Sequence, residues 1–495
     1  MLNLLVFTIM LLASRPELLA RILKAQQIAH LVNTRQLSAV EVATAVCDRL
    51  ERVNPSLNAF IDYQRADVLA RARSSDQRVA AKEYLPLAGV PFSVKDNLWL
   101  GGRPATFGSS VFADFVAPRD SWCVQRLNEL GGVALGMTNC SEFACKGITT
   151  NPLHGTTRNP WNLALTPGGS SGGAVAAVAA GLGPLALATD AGGSTRRPAA
   201  HTGLVGFKPS LGAVPNPWGF ADPNHLLSVI GQLGRDVEDV TLMARSLFAW
   251  YAADPLSQPH FSAQSLARQS RDQRSLRVAW SPDLGLGMAL DSDVAMAMAA
   301  ALATLQRAGW SIEIASPRWP GGLEGYALLG LQHTALAAQF GGLADDQLQR
   351  LDPDILAQIE TGRALSGVHT ARLLELRNGL SLSLATFFDD YDLLLCPTAP
   401  VEAWAVGQLC PATIGGQPAG PRGHAGYTPV FNYCGVPALS LPCGFGKHGL
   451  PVGLQVVAAR YMDGRVLQAA AEMERVLGLS FEAPMLRNQG IPQPL

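Results

Sequence analysis

The chain reads as one α/β domain built on a large sheet, and three observations predict it. Short apolar runs alternate with stretches of helical spacing toward both ends of the chain. Hydrophobic residues make up 48% of the 495 positions and charged residues 16%, enough apolar material for a sizeable core. Glycine occurs 49 times, which suits many tight turns around such a sheet.

Residues 16–51 carry apolar positions at helical spacing, and Ser38 with Glu41 forms a capping box ahead of EVATAVCDRLERV. A second helix covers about 65–82 and ends before Leu85-Pro86. LAGVPFSVKDN is an apolar strand with Lys95 at its end, where a surface lysine that snorkels is the plain alternative to a functional one. A helix over 120–130 and a strand over 131–139 make an αβ unit. The Ala/Val run 174–180 predicts a buried helix and Leu185–Ala188 a buried strand. HTGLVGFKPSLGAV adds a short strand and turn, Pro215–Asn224 a loop near the site, and 234–250 a helix with Glu238 and Asp239 near its start.

Residues 252–275 are polar and strand-poor, which predicts a boundary or a flexible insert. Beyond them, 276–280, 291–308 and 311–315 form a β-α-β pattern, and two or three helices fill 322–389. Strands at 392–400, 437–445 and 450–459 precede a final helix at 463–477. These strands are expected to rejoin the same sheet, giving a single domain over 16–490 behind an N-terminal extension, 1–15.

Charge and cysteine usage narrow the function classes. Lys and Arg number 38 against 39 Asp and Glu, so no electrostatic case exists for nucleic acid or a membrane surface as partner. The eight cysteines are scattered, with no CxxC pair or Cys/His cluster of metal spacing, so no metal or cofactor is expected and the thiols read as reduced core residues of a cytoplasmic protein. Leu2–Ala13 is an apolar run too short to span a bilayer, and no Lys or Arg precedes it. An over-extended start at Met1 rather than Met10, or an ordinary helix, is favoured over an export signal.

The chemistry concentrates between Thr166 and Pro198, which holds two glycine-flanked serine turns, 168–173 and 192–194. The layout of serine turn, helix, strand and serine turn can bring both turns to one end of a sheet. A phosphate loop would need GxxxxGK[ST], and no lysine follows these glycines correctly. Gly169–Gly173 formally matches GxSxG with Ser171 as nucleophile, but an esterase of the Ser-His-Asp type would also need an acid and a histidine downstream. His201, His225, His260, His333, His369, His424 and His448 are present, none at a self-evident strand end. A third chemistry pairs a serine with a lysine base, which requires burial to bring the lysine near neutrality, and the strand GVPFSV ahead of Lys95 supplies it.

Lys95 in GVPFSVKDN, PGGSSGG and TDAGGSTRRPAA together resemble the amidase signature family, with 75 residues from Lys95 to Ser170 and 24 from Ser170 to Ser194. GMTNCSEF, GTTRNPW, GLVGFKPS and GVPALSLPCGF…GLPVGLQVV are similar to further family segments, so the resemblance covers roughly 30–480. It implies a large mixed β-sheet core covered by helices on both faces. It also implies an amidase that works through a seryl acyl-enzyme: Ser194 as nucleophile, Ser170 as the relay after a cis peptide bond, and Lys95 as base and acid. The backbone N–H groups of Ala191, Gly192, Gly193 and Ser194 correspond to the oxyanion hole, with Ser171, Asp190 and Arg196 in support.

Within that family, the A component of the tRNA-dependent amidotransferases generally carries an Asp two residues before a Phe/Tyr-Thr pair, where this chain has Ala425 before Tyr427-Thr428. The departure favours a stand-alone amidase acting on a small-molecule amide, with a homodimer as the assembly to test. Thr149, Asn151, Trp218 and Phe220 are expected to line the substrate pocket, suggesting a hydrophobic acyl or aryl amide. Arg422 and His424 read as part of a solvated loop.

Overall fold

The computed structural model describes residues 23–267, 275–321, 323 and 328–487. The expectations for the N-terminal extension therefore lie outside the described residues. The described chain opens with α1 (Ala25–Asn33) and α2 (Ala39–Leu57). The capping box forms as expected: Glu41 N–H donates to Ser38 Oγ at 3.1 Å, and Ser38 N–H donates to Glu41 Oε2 at 2.8 Å. β1 (Phe60–Tyr63), α3 (Arg65–Ala80), β2 (Pro91–Lys95), α4 (Trp122–Glu129) and β3 (Val133–Thr138) follow. A small hairpin, β4 (Thr150–Asn151) and β5 (Gly155–Thr156), leads to α5 (Gly172–Ala179) and β6 (Leu185–Asp190).

Next come α6 (Arg196–Thr202), β7 (Val205–Lys208), β8 (Val229–Gly234), α7 (Val237–Leu247) and α8 (Ala263–Ala267). The β-α-β pattern appears as β9 (Val278–Trp280), α9 (Ser292–Arg307) and β10 (Ile312–Ile314). Among the described residues of the following region there are four helices, rather than the two or three expected: α10 (Leu329–Phe340), α11 (Asp345–Leu348), α12 (Pro353–Ala364) and α13 (Gly367–Asp390). β11 (Leu393–Pro397), a second small hairpin of β12 (Thr413–Ile414) and β13 (Gln417–Pro418), and α14 (Pro429–Tyr433) precede β14 (Ala438–Phe445) and β15 (Pro451–Val457). The described chain closes with α15 (Asp463–Leu477) and α16 (Pro484–Arg487).

Eleven strands form one mixed sheet in the order β1-β3-β2-β6-β8-β7-β14-β15-β11-β9-β10. The C-terminal strands rejoin it as expected, β14 pairing antiparallel with β7. β2 runs parallel to both β3 and β6, and all three are buried along their whole length, as continuous apolar runs covered on both faces should be. α5 is buried on every side: its glycines, alanines and valines are short enough to let it lie against β6, where Val175 and Val178 meet Ala186 and Ala188.

Several elements differ from the reading of the sequence. The described part of the stretch 16–51 holds two helices, broken at residues 34–38 by Arg35 in a left-handed conformation (φ 56°). β1, α6 and β8 were not anticipated; β8 occupies residues up to Gly234, and the following helix starts only at Val237. In the stretch expected to be an insert, Phe261 and Leu266 are buried in the main core, which ties its described part to the domain. Among the described residues, no helix is long and apolar enough to cross a membrane.

Candidate active site

β2 and β6 are parallel neighbours with Val94 paired to Leu187, so their carboxyl ends finish side by side. In α/β sheets this edge is where ligands bind. Lys95 is the last residue of β2, Thr189 and Asp190 are the last two of β6, and the turn before α5 brings Ser170 and Ser171 to the same edge. Lys95 Nζ lies 2.8 Å from Ser170 Oγ, 2.9 Å from Ser171 Oγ and 2.9 Å from Thr189 Oγ1. Asn97 Nδ2 also donates to the Thr189 hydroxyl, at 2.8 Å.

Lys95 is wholly buried, so the snorkelling alternative does not hold. Burial lowers its pKa to about 8, against the opposing pull of Cys140, Asp190 and Cys145. An amine in that range exchanges its proton near neutrality, and Ser170 is one of the hydroxyls it touches. The Gly169–Ser170 peptide bond is cis. Ser171 donates to the Thr189 carbonyl at 3.4 Å and is fully buried, and the cavity that holds Ser170 and Ser194 is lined without it. Among the described residues, the hydrogen bonds made by histidine rings go to Thr106, Thr334 and Glu402, and none reaches Ser170, Ser171 or Ser194.

Ser194 stands between β6 and α6 and, with Ser170, lines a narrow cavity of about 40 Å³. The turn carrying it is held from beneath by Asp190. That carboxylate accepts the N–H groups of Gly193 at 2.7 Å and Thr195 at 3.1 Å, and the Arg196 guanidinium at 2.8 and 3.0 Å. Arg196 continues to the Thr428 carbonyl, Gln455 and Asn432 at 3.0, 2.7 and 2.6 Å. Of the predicted oxyanion donors, the Gly193 N–H donates to Asp190, and Ala191, Gly192 and Ser194 line a second cavity. Gly193 is required for packing: its φ is +109°, and a Cβ there would lie 2.1 Å from Thr428 Oγ1.

Of the expected pocket residues, Phe220 lines the Ser194 cavity, stacked on Phe107 with ring centroids 5.0 Å apart. The other three serve elsewhere. Trp218 donates to the Asp120 carbonyl at 2.8 Å and packs under Arg119. Thr149 Oγ1 donates to the Gly168 carbonyl and accepts the Gly172 N–H, bracing the first serine turn. Asn151 donates to Asn139 Oδ1 and the Cys140 carbonyl, and accepts the N–H groups of Leu153 and His154. These short polar side chains stitch loops together, so they face backbone rather than open space. His424, read as a loop residue, is buried at 1% exposure, while Arg422 lines the cavity beside Ser194.

Sequence reasoning missed Thr189, Asn97, Thr428, Asn432 and Gln455. Thr189 carried a signal, being a polar residue at the end of an apolar strand directly before Asp190. Asn97 lies two residues after Lys95, whereas Thr428, Asn432 and Gln455 are brought in by tertiary contacts from distant segments.

A family model described as Amidase matches residues 41–467. An acylamidase from Rhodococcus erythropolis is 36% identical over 459 residues, spanning 92% of this chain and 95% of that protein. The A component of the glutamyl-tRNA(Gln) amidotransferase of Azoarcus sp. (strain BH72) is 33% identical, spanning 92% of this chain and 98% of its own. The crystal structure of a bacterial aryl acylamidase of the amidase signature family superposes with a TM-score of 0.87 at 26% identity, covering 95% of this chain and 99% of that one. A 6-aminohexanoate cyclic dimer hydrolase follows at 0.82 and 28%, covering 94% and 99%.

Proposed function

The chain belongs to the amidase family, and we propose that it is a stand-alone hydrolase of linear carboxylic amides that works through a seryl acyl-enzyme. The observation that carries this reading is the buried contact of 2.8 Å between Lys95 Nζ and Ser170 Oγ, in a cavity wall shared by Ser170 and Ser194. Ser194 Oγ attacks the amide carbonyl carbon; its proton passes to Ser170 Oγ as the Ser170 proton passes to Lys95 Nζ. The carbonyl oxygen becomes an oxyanion that the N–H groups of Ala191, Gly192 and Ser194 stabilise. Lys95 returns the proton through Ser170 to the departing nitrogen, the C–N bond breaks, and ammonia or an amine leaves. Water then attacks the ester by the same relay and releases the carboxylate. Ser171, Asp190 and Arg196 act as positioning residues.

The eight unpaired cysteines support a reducing, cytoplasmic setting. A second reading, the A component of a glutamine-dependent amidotransferase, is favoured by the similarity to such proteins. Against it, Ala425 offers no carboxylate where those proteins generally carry Asp. The test is hydrolysis of aliphatic, aryl and peptide amides by the wild type, Lys95→Ala and Ser194→Ala. Loss of turnover in both variants supports the proposal. Full activity in Lys95→Ala would refute it, and ammonia release from glutamine only with co-purified partner proteins would favour the second reading.

A further inference from the structure

Two neighbouring cavities share two wall residues, and the smaller of them holds Ser194. The first, about 30 Å³, is lined by Ser194, Gly192 and Cys145. The second is a groove of about 640 Å³ between α10, α12 and the 414–427 segment, walled by Met288, Leu329, Ile414 and Tyr427. Its volume falls in the range of about 300–1,000 Å³ common for small-molecule sites, whereas the space beside Ser194 does not. Arg422 and Leu329 line both. The guanidinium is tied from each side: Arg422 Nη2 donates to the Cys145 carbonyl at 3.1 Å in the wall of the small cavity, and lies 3.8 Å from Asp354 Oδ2 in the wall of the groove.

The orientation of substrate follows from the relay proposed above, on which this inference rests. Ser170, which hands the proton to the departing nitrogen, lines the cavity that holds Phe107 and Phe220 and not the one that holds Arg422. The leaving group thus occupies the phenylalanine side, and the acyl group points toward Arg422. We infer that Arg422 is a specificity-determining residue that sets the length of the acyl chain. Tied between Cys145 and Asp354, it bars the way from the small cavity to the groove, so short acyl groups fit and longer ones must displace it. Shortening or untying the side chain joins the two spaces and gives a long apolar chain a lined path.

The experiment compares kcat/KM for p-nitroanilides of straight-chain acids from acetyl to decanoyl. The wild type should favour acetyl over octanoyl by about tenfold or more, the scale on which a few misplaced methylenes discriminate. Arg422→Ala should raise the octanoyl-to-acetyl ratio by about tenfold or more, and Asp354→Asn, which releases one tie while keeping the arginine, should raise it by a smaller factor. A poorly folded variant lowers both rates together, so the ratio is read only where acetyl turnover persists, and Asp354→Asn supplies it if Arg422→Ala does not fold. A wild type that cleaves octanoyl as well as acetyl, or a ratio unmoved in Arg422→Ala, overturns the inference while leaving the amidase reading intact. Failure to cleave any anilide, with no acyl adduct on Ser194, overturns that reading and this inference with it.

Discussion

Asp190 and Arg196 form a fully buried bidentate pair, with Nη2 donating to Oδ1 at 2.8 Å and Nε to Oδ2 at 3.0 Å. The pair spans the turn that carries Ser194, so the backbone of that turn is fixed by a charge pair beneath it. Burial by itself would raise the Asp190 pKa, but the Arg196 charge and hydrogen bonds hold it well below the usual carboxylate range.

Asp190→Ala leaves the Arg196 guanidinium buried beside a missing partner and should destabilise the fold by ~3–5 kcal/mol, read from urea unfolding. Arg196→Lys should not restore stability, because one ammonium cannot reproduce the planar fork to Asp190 while reaching Thr428, Gln455 and Asn432. The Asp190 pKa is depressed on folding. Its contribution is therefore fully present above the unfolded carboxylate value of about 4 and is lost only as pH falls through the lower folded value.

Activity should rise with pH through about 8, where Lys95 loses its proton and can accept one from Ser170. The kcat/KM profile of any cleaved amide reads this limb directly. Lys208 is also buried, with its pKa lowered to about 7 by burial and then by Arg196. Its ammonium bonds the Pro209 carbonyl rather than a site hydroxyl. Lys208→Met should accordingly leave the position of the limb in place; a shift of the limb in that variant would assign it to the wrong lysine.

Thr189→Val keeps the shape of the strand end but removes the hydroxyl that accepts from both Lys95 and Asn97. A hydrogen bond to a charged group is worth about 1.5–3 kcal/mol, so the loss should shift the rising limb to lower pH by about one to two units. The rate at the plateau should fall about tenfold as the lysine loses one of the contacts that orient it. An unmoved limb would show that Thr189 has no hold on the Lys95 proton.

How much was legible in the sequence follows from which forces act locally. Lys95 and the two serine turns could be read because apolar runs and glycines leave marks in short windows. The capping box at Ser38 was legible for the same reason. The choice of Ser170 and Ser194 over Ser171 rested instead on the resemblance to the amidase signature motifs. β8 was missed because Val229–Gly234 owes its strand to pairing with β6 and β7, not to its own alternation. The roles of Thr149 and Asn151 were misread because a short polar residue near glycines looks the same whether it meets substrate or braces a turn. Arg422 and His424 lie two positions apart, yet one lines a cavity and the other is packed against Trp404, with ring centroids 5.0 Å apart. No pattern within that segment distinguishes them.

In the mechanism we propose, Ser194, relayed through Ser170 to Lys95, carries the acyl group. The most direct measurement is peptide-mapped mass spectrometry of enzyme quenched during turnover of an amide substrate. The account predicts an acyl adduct on the peptide holding Ser194, at that serine, absent from Ser194→Ala and from Lys95→Ala. An adduct on Ser170 or Ser171, or turnover persisting in Ser194→Ala, would contradict it.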